Sequence, residues 1–472
     1  MPIIVRSVFF LMTAVFVCGC STPKTITVRK EPLGEQGELY LYLQPLPQEM
    51  QPLSFTVGNI SVIPEEGGKL LSVLPTRMII SGKEATDMQK RLSATPLPSG
   101  RYTGISLAIE QAGMVTENGG MELMSPAEPL VLDFNFSIRR GESLALFIEL
   151  SSEFLVTDGE RFTPRFALGK TSMPPWNHLG FISNSNDNIV TVFNKNVMEV
   201  VQVIHTGIEP KGMALDEPNG IVYVAAAGDD IIEVINIATL EITGTIRLEF
   251  GDKPSELTLT PDGRTLLSAN YGSGTVSLID TGSLSETERL VLDPDPAWIV
   301  AGADGATAYV LHTMASTISI IDVVGGGLLA SVPLDESPIR GVLSRDGDSL
   351  FILAEYSTDL LVLDTRSLQV TRRIFIGGEG ASVQMDPQGN YVYIAKKSGE
   401  IIIVDPLTEV FIDSFRAGQG TDFIAIDGEE NVLLILTADG NMVYKFNLVS
   451  KRKLADMETE EGGHALVVMG KF

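Results

Sequence analysis

The second half of the sequence carries side chains of varied chemistry at a nearly constant spacing. Glu256, Trp298 and Arg340 follow one another at intervals of 42 residues, and Asp422 and His464 are again 42 apart. If a repeated fold brings these positions together, the arginine can bind a carboxylate and the indole can stack on a flat group. The candidate site for a polar ligand or peptide is Glu256, Trp298, Arg340, Ser382, Asp422 and His464, with Gly212 at the equivalent position of an earlier repeat.

A second interpretation of these positions needs no ligand. They follow turns, so they can form a solvated rim of loop side chains in which, for example, Glu256 pairs with Arg340. The sequence contains no G-x-S-x-G, H-E-x-x-H or Walker motif. Neither a metal site nor a cofactor is expected, because strand-end aspartates such as Asp280 suit turn chemistry and calcium needs about six to eight oxygens.

A repeat of about 42 residues organises the chain from about residue 178 onward. Seven segments of mainly apolar residues end in Asp or Asn, with spacings of 42, 44, 42, 42, 41 and 42. A second marker, a turn dipeptide such as Asp262-Gly263 or Asp304-Gly305, recurs with nearly the same period. The seven endings are Asn194, Asn236, Asp280, Asp322, Asp364, Asp405 and Asn447.

Each repeat contains four short runs with the two-residue periodicity of β-strands, for example 256–260, 265–270, 275–280 and 287–292. Four antiparallel strands in about 40 to 45 residues are typical of a β-propeller blade. The first repeat begins at its second strand and the chain ends on a single first strand, 464–469. The sequence therefore predicts a seven-bladed β-propeller over 178–472, closed by pairing of its terminal strands.

The segment Leu266–Asp280, with the preceding Pro261-Asp262-Gly263, resembles the repeat of YVTN-family β-propellers, although Ser268 departs from the usual strand residue. Phe181–Asn184 and Tyr391–Ile394 carry weaker versions. The resemblance covers about 178–472 and implies the propeller fold. It leaves the function open, because the relatives include surface-layer proteins, lactonase-like enzymes and the propeller portions of cofactor-dependent oxidoreductases.

Residues 38–168 lack the repeat and contain longer alternating runs separated by turn signals, which predict an antiparallel β-sandwich. The segment Pro98–Leu107 resembles a strand-and-turn signature of exported bacterial β-sandwich domains of unknown function. The stretch 169–177, which contains two prolines and Trp176, is the expected linker to the propeller.

The first 19 residues have the pattern of a signal peptide. The apolar stretch Val8–Val17 is too short to cross a membrane, which takes roughly 20 residues, but fits a secretory signal. Val17-Cys18-Gly19-Cys20 resembles a bacterial lipobox, which implies lipidation of Cys20, a tether over 20–37 and attachment to the cell envelope. Ser21 favours the outer membrane. The alternative is an ordinary secretory peptide with incidental cysteines.

The composition excludes several classes of function. Lys and Arg number 34 against 60 Asp and Glu, and the resulting net charge of −26 would repel nucleic acid. The two cysteines, Cys18 and Cys20, are too few for a disulfide framework or a four-cysteine zinc site, and no C-x-x-C-H motif for haem attachment occurs.

The sequence favours a monomeric, non-catalytic lipoprotein of the cell envelope or surface, whose propeller binds or scaffolds a protein or polymer partner. The alternative is a propeller enzyme, either a lactonase-like hydrolase or a cofactor-dependent oxidoreductase, with its site at the central channel. The arrangement of Glu256, Arg340, Asp422 and His464 separates the two. One hydrogen-bonded cluster around a pocket would strengthen the enzyme interpretation, and side chains spread into solvent would weaken it.

Overall fold

The structure, a computed structural model, describes residues 33–470 except 75, 117–118, 152–155, 158–159 and 419. The predicted signal peptide and the lipidation site Cys20 lie outside the described residues. The first strand begins at Gln36, inside the predicted tether. Among the described residues the helices are short: the 3-10 helices Gln48–Met50 and Trp176–His178 and the α-helix Gly82–Ala85. None of them has the length and hydropathy of a membrane span.

Two packed sheets and the two-stranded pair β10–β11 form the N-terminal domain. One has the order β12-β9-β1-β5, and in the other β2 and β6 pair centrally with β3, β4, β7 and β8. Apolar side chains from both sheets, such as Leu39, Phe55, Ile105 and Leu146, fill the core between them. The strands are β1 Gln36–Leu43, β2 Leu53–Pro64, β3 Leu71–Ser72, β4 Met78–Ser81, β5 Lys90–Pro98, β6 Gly100–Thr116, β7 Gly119–Leu123, β8 Leu130–Ile138, β9 Ser143–Leu150, β10 Val156–Thr157, β11 Arg161–Phe162 and β12 Phe166–Gly169.

This arrangement is the predicted sandwich, except that one pair of its strands is parallel and a parallel bridge joins Met124 to Arg161. β1 runs parallel to β9, with Leu39 opposite Leu144 and Leu41 opposite Leu146. β1 pairs with β5 on its other side in the expected antiparallel way. A run of alternating residues indicates a strand but carries no information about the direction of its neighbour, so the sequence did not indicate the parallel pair.

Seven four-stranded antiparallel sheets follow in the described part of the chain, and each is one blade of the propeller. Blade 1 combines β40 with β13–β15, and blades 2 to 7 are consecutive groups of four from β16–β19 to β36–β39. The strands are β13 Leu179–Asn184, β14 Ile189–Asn194, β15 Glu199–His205, β16 Pro210–Asp216, β17 Ile221–Ala226, β18 Ile231–Asn236, β19 Glu241–Arg247, β20 Pro254–Leu259, β21 Thr265–Asn270, β22 Thr275–Asp280, β23 Ser285–Val291, β24 Pro296–Ala301, β25 Thr307–His312, β26 Thr317–Asp322, β27 Gly327–Pro333, β28 Pro338–Leu343, β29 Ser349–Ala354, β30 Asp359–Asp364, β31 Gln369–Phe375, β32 Gly380–Met385, β33 Val392–Lys396, β34 Glu400–Asp405, β35 Val410–Arg416, β36 Phe423–Asp427, β37 Val432–Thr437, β38 Met442–Asn447, β39 Lys453–Glu458 and β40 Gly463–Val468.

The ring closes by pairing of the first and last propeller strands, as the sequence predicts. β40 pairs antiparallel with β13, so that Val467 lies opposite Phe181 and Ala465 opposite Ser183. The inner strands β16, β20, β24, β28, β32, β36 and β40 contact one another in ring order, and β40 returns to β16. Through this closure β13 pairs with β14 on one side and β40 on the other, which completes blade 1.

The sandwich packs against blade 1 at the joint where the ring closes. Tyr42 and Phe147 of the sandwich belong to the same apolar cluster as Leu179 and Val200 of blade 1. Polar contacts reinforce the junction, because the Tyr42 hydroxyl donates to Glu460 at 3.0 Å and Arg91 forms an ion pair with the same carboxylate.

Candidate site at the mouth of the propeller channel

The inner strands of the seven blades begin around one end of the central channel, which we call the mouth. Five of the predicted residues share one register there: Gly212, Glu256, Trp298, Arg340 and Ser382 each occupy the third position of an inner strand. Four of them pair with the next-to-last residue of the neighbouring strand, as in Glu256 with Ala269 and Arg340 with Leu353.

Asp422 and His464 each lie one residue before the position that matches this register. The matching positions are Phe423, which pairs with Leu436, and Ala465, which pairs with Ser183. The inner strands of blades 2 to 5 begin with a proline that marks the register in sequence, whereas β36 and β40 begin without one. Counting from the preceding glycines therefore misplaced both positions by one residue, and Phe423 was missed.

Arg340 is the centre of the mouth. Its guanidinium carbon lies 5.1 Å from the centroid of the Trp298 ring and 4.8 Å from that of Phe423. Its Nη1 donates to the backbone carbonyl of Asp422 at 3.0 Å. The Trp298 Nε1 donates to the carbonyl of Gly341 at 2.8 Å. Trp298 therefore holds Arg340 in place by a cation–π contact and is not a free platform for a ligand.

Glu256 lies beside this group but forms no ion pair with Arg340 among the described contacts. Its side chain is buried, and burial raises the pKa of the carboxyl to about 8, although the nearby Arg340 charge opposes the shift. At neutral pH this carboxyl is therefore mostly protonated. The solvated Glu256–Arg340 pair of the ligand-free interpretation is not present in the structure.

Asp422, His464 and Ser382 have different roles. The Asp422 Oδ2 accepts the N–H of Ala438 at 2.8 Å, and burial raises the pKa of this carboxyl. Burial, together with the charges of Arg340 and Lys211, lowers the pKa of His464 to about 3, so its ring is neutral at pH 7. The Ser382 Oγ is buried and accepts the N–H of Ile424 at 3.2 Å, so it joins blades 6 and 7.

The inner strands approach closely at Gly212. A Cβ atom there would lie 2.6 Å from the Cα of Glu256, closer than side chains allow. The glycine therefore permits β16 and β20 to pack at the mouth, and it brings no chemical group to the site.

Two cavities meet at the group formed by Arg340, Trp298 and Phe423. The mouth cavity has a volume of about 410 Å³ and opens outward, and the inner cavity, of about 380 Å³, lies deeper in the channel. Trp298, Phe423 and Glu256 line the inner cavity. The mouth cavity is lined by Ser185, Ile339, Arg340, Ala381, Lys397, Asp422, Ala438, Gly462, Gly463 and His464.

A larger cavity of about 660 Å³ lies between the sandwich and blades 1 and 2, and it contains none of the predicted site residues. One of its charged side chains, Arg139, is largely exposed and lies 3.5 Å from Glu142. The mouth gathers side chains from equivalent positions of several blades, so we take it as the candidate binding site.

In the described ranges no group of three or more His, Cys, Asp or Glu side chains is placed to hold a metal ion. The strand-end aspartates accept hydrogen bonds within their own turns, as the sequence indicates. Asp280 Oδ1 accepts the N–H of Ser283 at 2.7 Å, and Asp364 Oδ1 accepts that of Ser367 at 2.7 Å.

A set of exposed apolar side chains also lies on the mouth side of the propeller, on or beside blades 3 to 5. We call these the mouth-face apolar residues: Phe250, Tyr271, Val291, Met314, Tyr356 and Phe375. They occupy the turns between second and third strands, the ends of outer strands, and one turn that leads into an inner strand.

The repeat contains a sequence signal for these residues at the end of each outer strand. The last residue of the outer strand is apolar in blades 3, 4 and 5 and polar or charged in the other four blades. Comparing this position across repeats would have revealed the change. In ring order these residues are His205, Arg247, Val291, Pro333, Phe375, Arg416 and Glu458.

Comparison with known proteins supports the fold and leaves the function open. No family model matches the chain, and no curated protein matches it. One similar solved structure is described as "Dihydro-heme d1 dehydrogenase NirN in complex with DHE". The alignment covers 64% of this chain and 77% of the NirN chain, with 16% sequence identity and a TM-score of 0.51. A second similar structure is "Kuenenia stuttgartiensis Hydrazine Synthase". The alignment covers 62% of this chain and 97% of the chain in that structure, with 19% sequence identity and a TM-score of 0.47.

Both neighbours have β-propeller-type folds. At 16% identity the likeness to NirN concerns the fold alone, and the likeness to hydrazine synthase, with a TM-score below 0.5, supports no argument. This chain is a β-propeller protein with an N-terminal β-sandwich.

Proposed function

We propose that this protein is a lipid-anchored, non-catalytic binding protein of the bacterial envelope, related to YVTN-type propellers, which docks a protein partner on the mouth face. The signal sequence and Cys20 support the anchor, and the propeller supplies a rigid platform. The observation that carries the proposal is the position of the mouth-face apolar residues. They lie on or beside three neighbouring blades around the mouth, where an isolated propeller would gain nothing from exposing them.

The sandwich leaves this surface accessible. It contacts blade 1, the end of β39 and the segment between β39 and β40, none of which belongs to blades 3 to 5. A partner that binds the mouth-face apolar residues would therefore contact blades that the sandwich leaves uncovered.

The chemistry of the surface favours a protein that presents apolar and basic side chains. Val291 and Met314 offer no flat ring for stacking on sugars, so a carbohydrate polymer fits the set less well than a protein does. The net charge of −26 favours a basic partner, and its binding should weaken as salt is added. Exposed charges near the set include the acids Glu249, Asp335 and Glu355 and the bases Lys253 and Arg373.

The test compares two matched triple variants. Phe250→Ser/Met314→Ser/Tyr356→Ser removes apolar side chains from the mouth face, and Val324→Ser/Leu407→Ser/Val449→Ser removes equally exposed ones from turns at the opposite end of the blades. Partners are identified by cross-linking in intact envelope, and each is then purified and its affinity measured. We expect the mouth-face variant to lose about tenfold or more in affinity and the control to bind like wild type.

Equal loss in both variants, or loss in the control alone, would move the docking surface elsewhere on the propeller. A partner that binds more tightly as salt is added would contradict the charge argument. If no partner is cross-linked to wild type, docking is wrong and the channel must be tested for catalysis on small molecules.

A further inference from the structure

Arg340 is a largely enclosed cation to which no described carboxylate is ion-paired. Of its five N–H groups, one is donated to an acceptor within the described residues, the backbone carbonyl of Asp422. The rings of Trp298 and Phe423 hold the guanidinium without neutralising its charge. Burying a charge that has no counter-ion is costly, so this arrangement leaves a place for an anion.

The two carboxyls nearest to Arg340 do not supply that anion. Glu256 is mostly protonated at neutral pH because burial raises its pKa to about 8. Asp422 accepts the Ala438 N–H through Oδ2 and offers Arg340 its backbone carbonyl instead of its carboxylate. The guanidinium of Arg340 therefore keeps N–H groups that no described carboxylate accepts, although the protein as a whole is strongly acidic.

The surroundings limit what can bind. The mouth cavity of about 410 Å³ admits a small organic group or the end of a chain. Its walls combine apolar Ile339, Ala381 and Ala438 with the neutral ring of His464. Lys397 also lies on the wall, but its ammonium is 3.3 Å from Glu379 and so is already compensated.

We propose that the mouth cavity binds a carboxylate group, which the guanidinium of Arg340 receives through its free N–H groups. A planar carboxylate matches the planar guanidinium and can accept two parallel hydrogen bonds. One uncompensated cation balances one negative charge. A phosphate dianion would leave excess negative charge close to Asp422 and should bind less well. The carboxylate belongs either to a free small molecule or to the end of a peptide chain.

This inference goes beyond the proposed function, because it needs only the purified protein and no docked partner. Loss of the partner in the mouth-face variants and loss of the carboxylate in an Arg340 variant are separate results. Either proposal can therefore fail alone.

The experiment is calorimetric titration of the full chain with matched probes. Benzoate and benzamide have similar shapes and differ in charge, and a short peptide with a free C-terminal carboxylate is compared with its amidated form. We expect the carboxylate member of at least one pair to bind about tenfold more tightly than the neutral one. Inorganic phosphate should bind more weakly than that carboxylate.

Three variants connect binding to the geometry. Arg340→Met should lower the affinity for the carboxylate about tenfold or more. Arg264→Gln, which changes an exposed arginine in a turn at the opposite end of blade 3, should bind like wild type.

At about pH 9 the wild type should bind less well than at pH 7 because Glu256 ionises beside Arg340, and Glu256→Gln should keep its affinity. Other groups facing Arg340 are Asp422, His464, Lys211 and Lys397.

The outcomes distinguish the two sources of the carboxylate. Binding of benzoate without the peptide indicates a free small molecule, and preference for the free-acid peptide indicates a chain end. The proposal is wrong if both neutral probes bind as tightly as the acids, if Arg340→Met binds like wild type, if phosphate binds more tightly than the carboxylates, or if no probe binds at about 20 mM.

Discussion

The propeller encloses two cations, Lys195 and Arg340, which differ in whether a carboxylate pairs with them. Lys195 lies where the ring closes, on the side away from the mouth. Its ammonium is 2.5 Å from a carboxylate oxygen of Asp427 and donates to the carbonyl of Met469 at 2.6 Å, and both side chains of the ion pair are fully buried. Arg340 at the mouth has two aromatic rings and a carbonyl, and no carboxylate pairs with it among the described residues.

The difference separates a structural charge from a charge available to a ligand. The Lys195–Asp427 pair joins blade 1 to blade 7, and neighbouring Lys445 extends it by donating to the Lys195 carbonyl and pairing with Glu430. Every part of that network has its partner inside the protein. At the mouth the protein positions the cation and leaves its counter-ion out, as expected of a binding site.

The largest effect is expected at the ring closure. Lys195→Met leaves the buried Asp427 without its cation and should lower the free energy of unfolding by about 3 to 5 kcal/mol. Lys453→Met, which alters a half-exposed lysine on blade 7, should change it by about 0.5 kcal/mol or less. Denaturant unfolding measures both. If the two variants are equally stable, the buried pair does not hold the ring closed.

A pH-dependent effect is expected from Glu256. Its pKa is raised from 4.5 to about 8 on folding, so between these values the folded protein binds more protons than the unfolded chain. This carboxyl therefore supports stability at low pH and opposes it as the pH rises, with a slope of up to about 1.4 kcal/mol per pH unit. Glu256→Gln should gain stability relative to wild type from pH 5 to pH 8, as measured by unfolding at each pH. The exposed control Glu355→Gln should show no such trend, and a trend of the opposite sign would mean that Glu256 is ionised and paired.

Only a small effect on stability is expected at Arg340 itself. Arg340→Met removes two cation–π contacts and one hydrogen bond but also removes an uncompensated charge, so the two changes offset each other to within about 1 kcal/mol. The same denaturant measurement applies. A loss as large as that of Lys195→Met would show that Arg340 is part of the structural framework, and the contrast between the two cations would disappear.

The repeat explains why much of the fold could be predicted. Short runs with two-residue periodicity, separated by turn dipeptides such as Asp262-Gly263, form hairpins locally. Because the spacing is nearly constant, every blade has the same size and packs in the same way. The closure by β40 and β13 followed from counting strands at the two ends. The parallel pairing of β1 with β9 could not be predicted from the sequence, because packing decides which strands far apart in the chain become neighbours in a sheet.

The site could be predicted only in part. Spacing located Glu256, Trp298 and Arg340 at one level of the channel, because a common repeat position implies a common height in the ring. It missed Phe423, whose strand lacks the initial proline, and it assigned Trp298 to the ligand although its ring holds Arg340. Which groups touch across the channel depends on distances between blades, and no interval along the chain encodes them.

The sequence by itself determined the architecture and the residues that surround the channel, since hairpin formation and repeat spacing act over a few residues at a time. The tertiary structure decided the charge state and the partners of those residues. Burial keeps Glu256 protonated, two rings from different blades hold Arg340, and a buried carboxylate compensates Lys195 at the far side of the ring. These properties depend on desolvation and on contacts between blades, which exist only once the ring has closed.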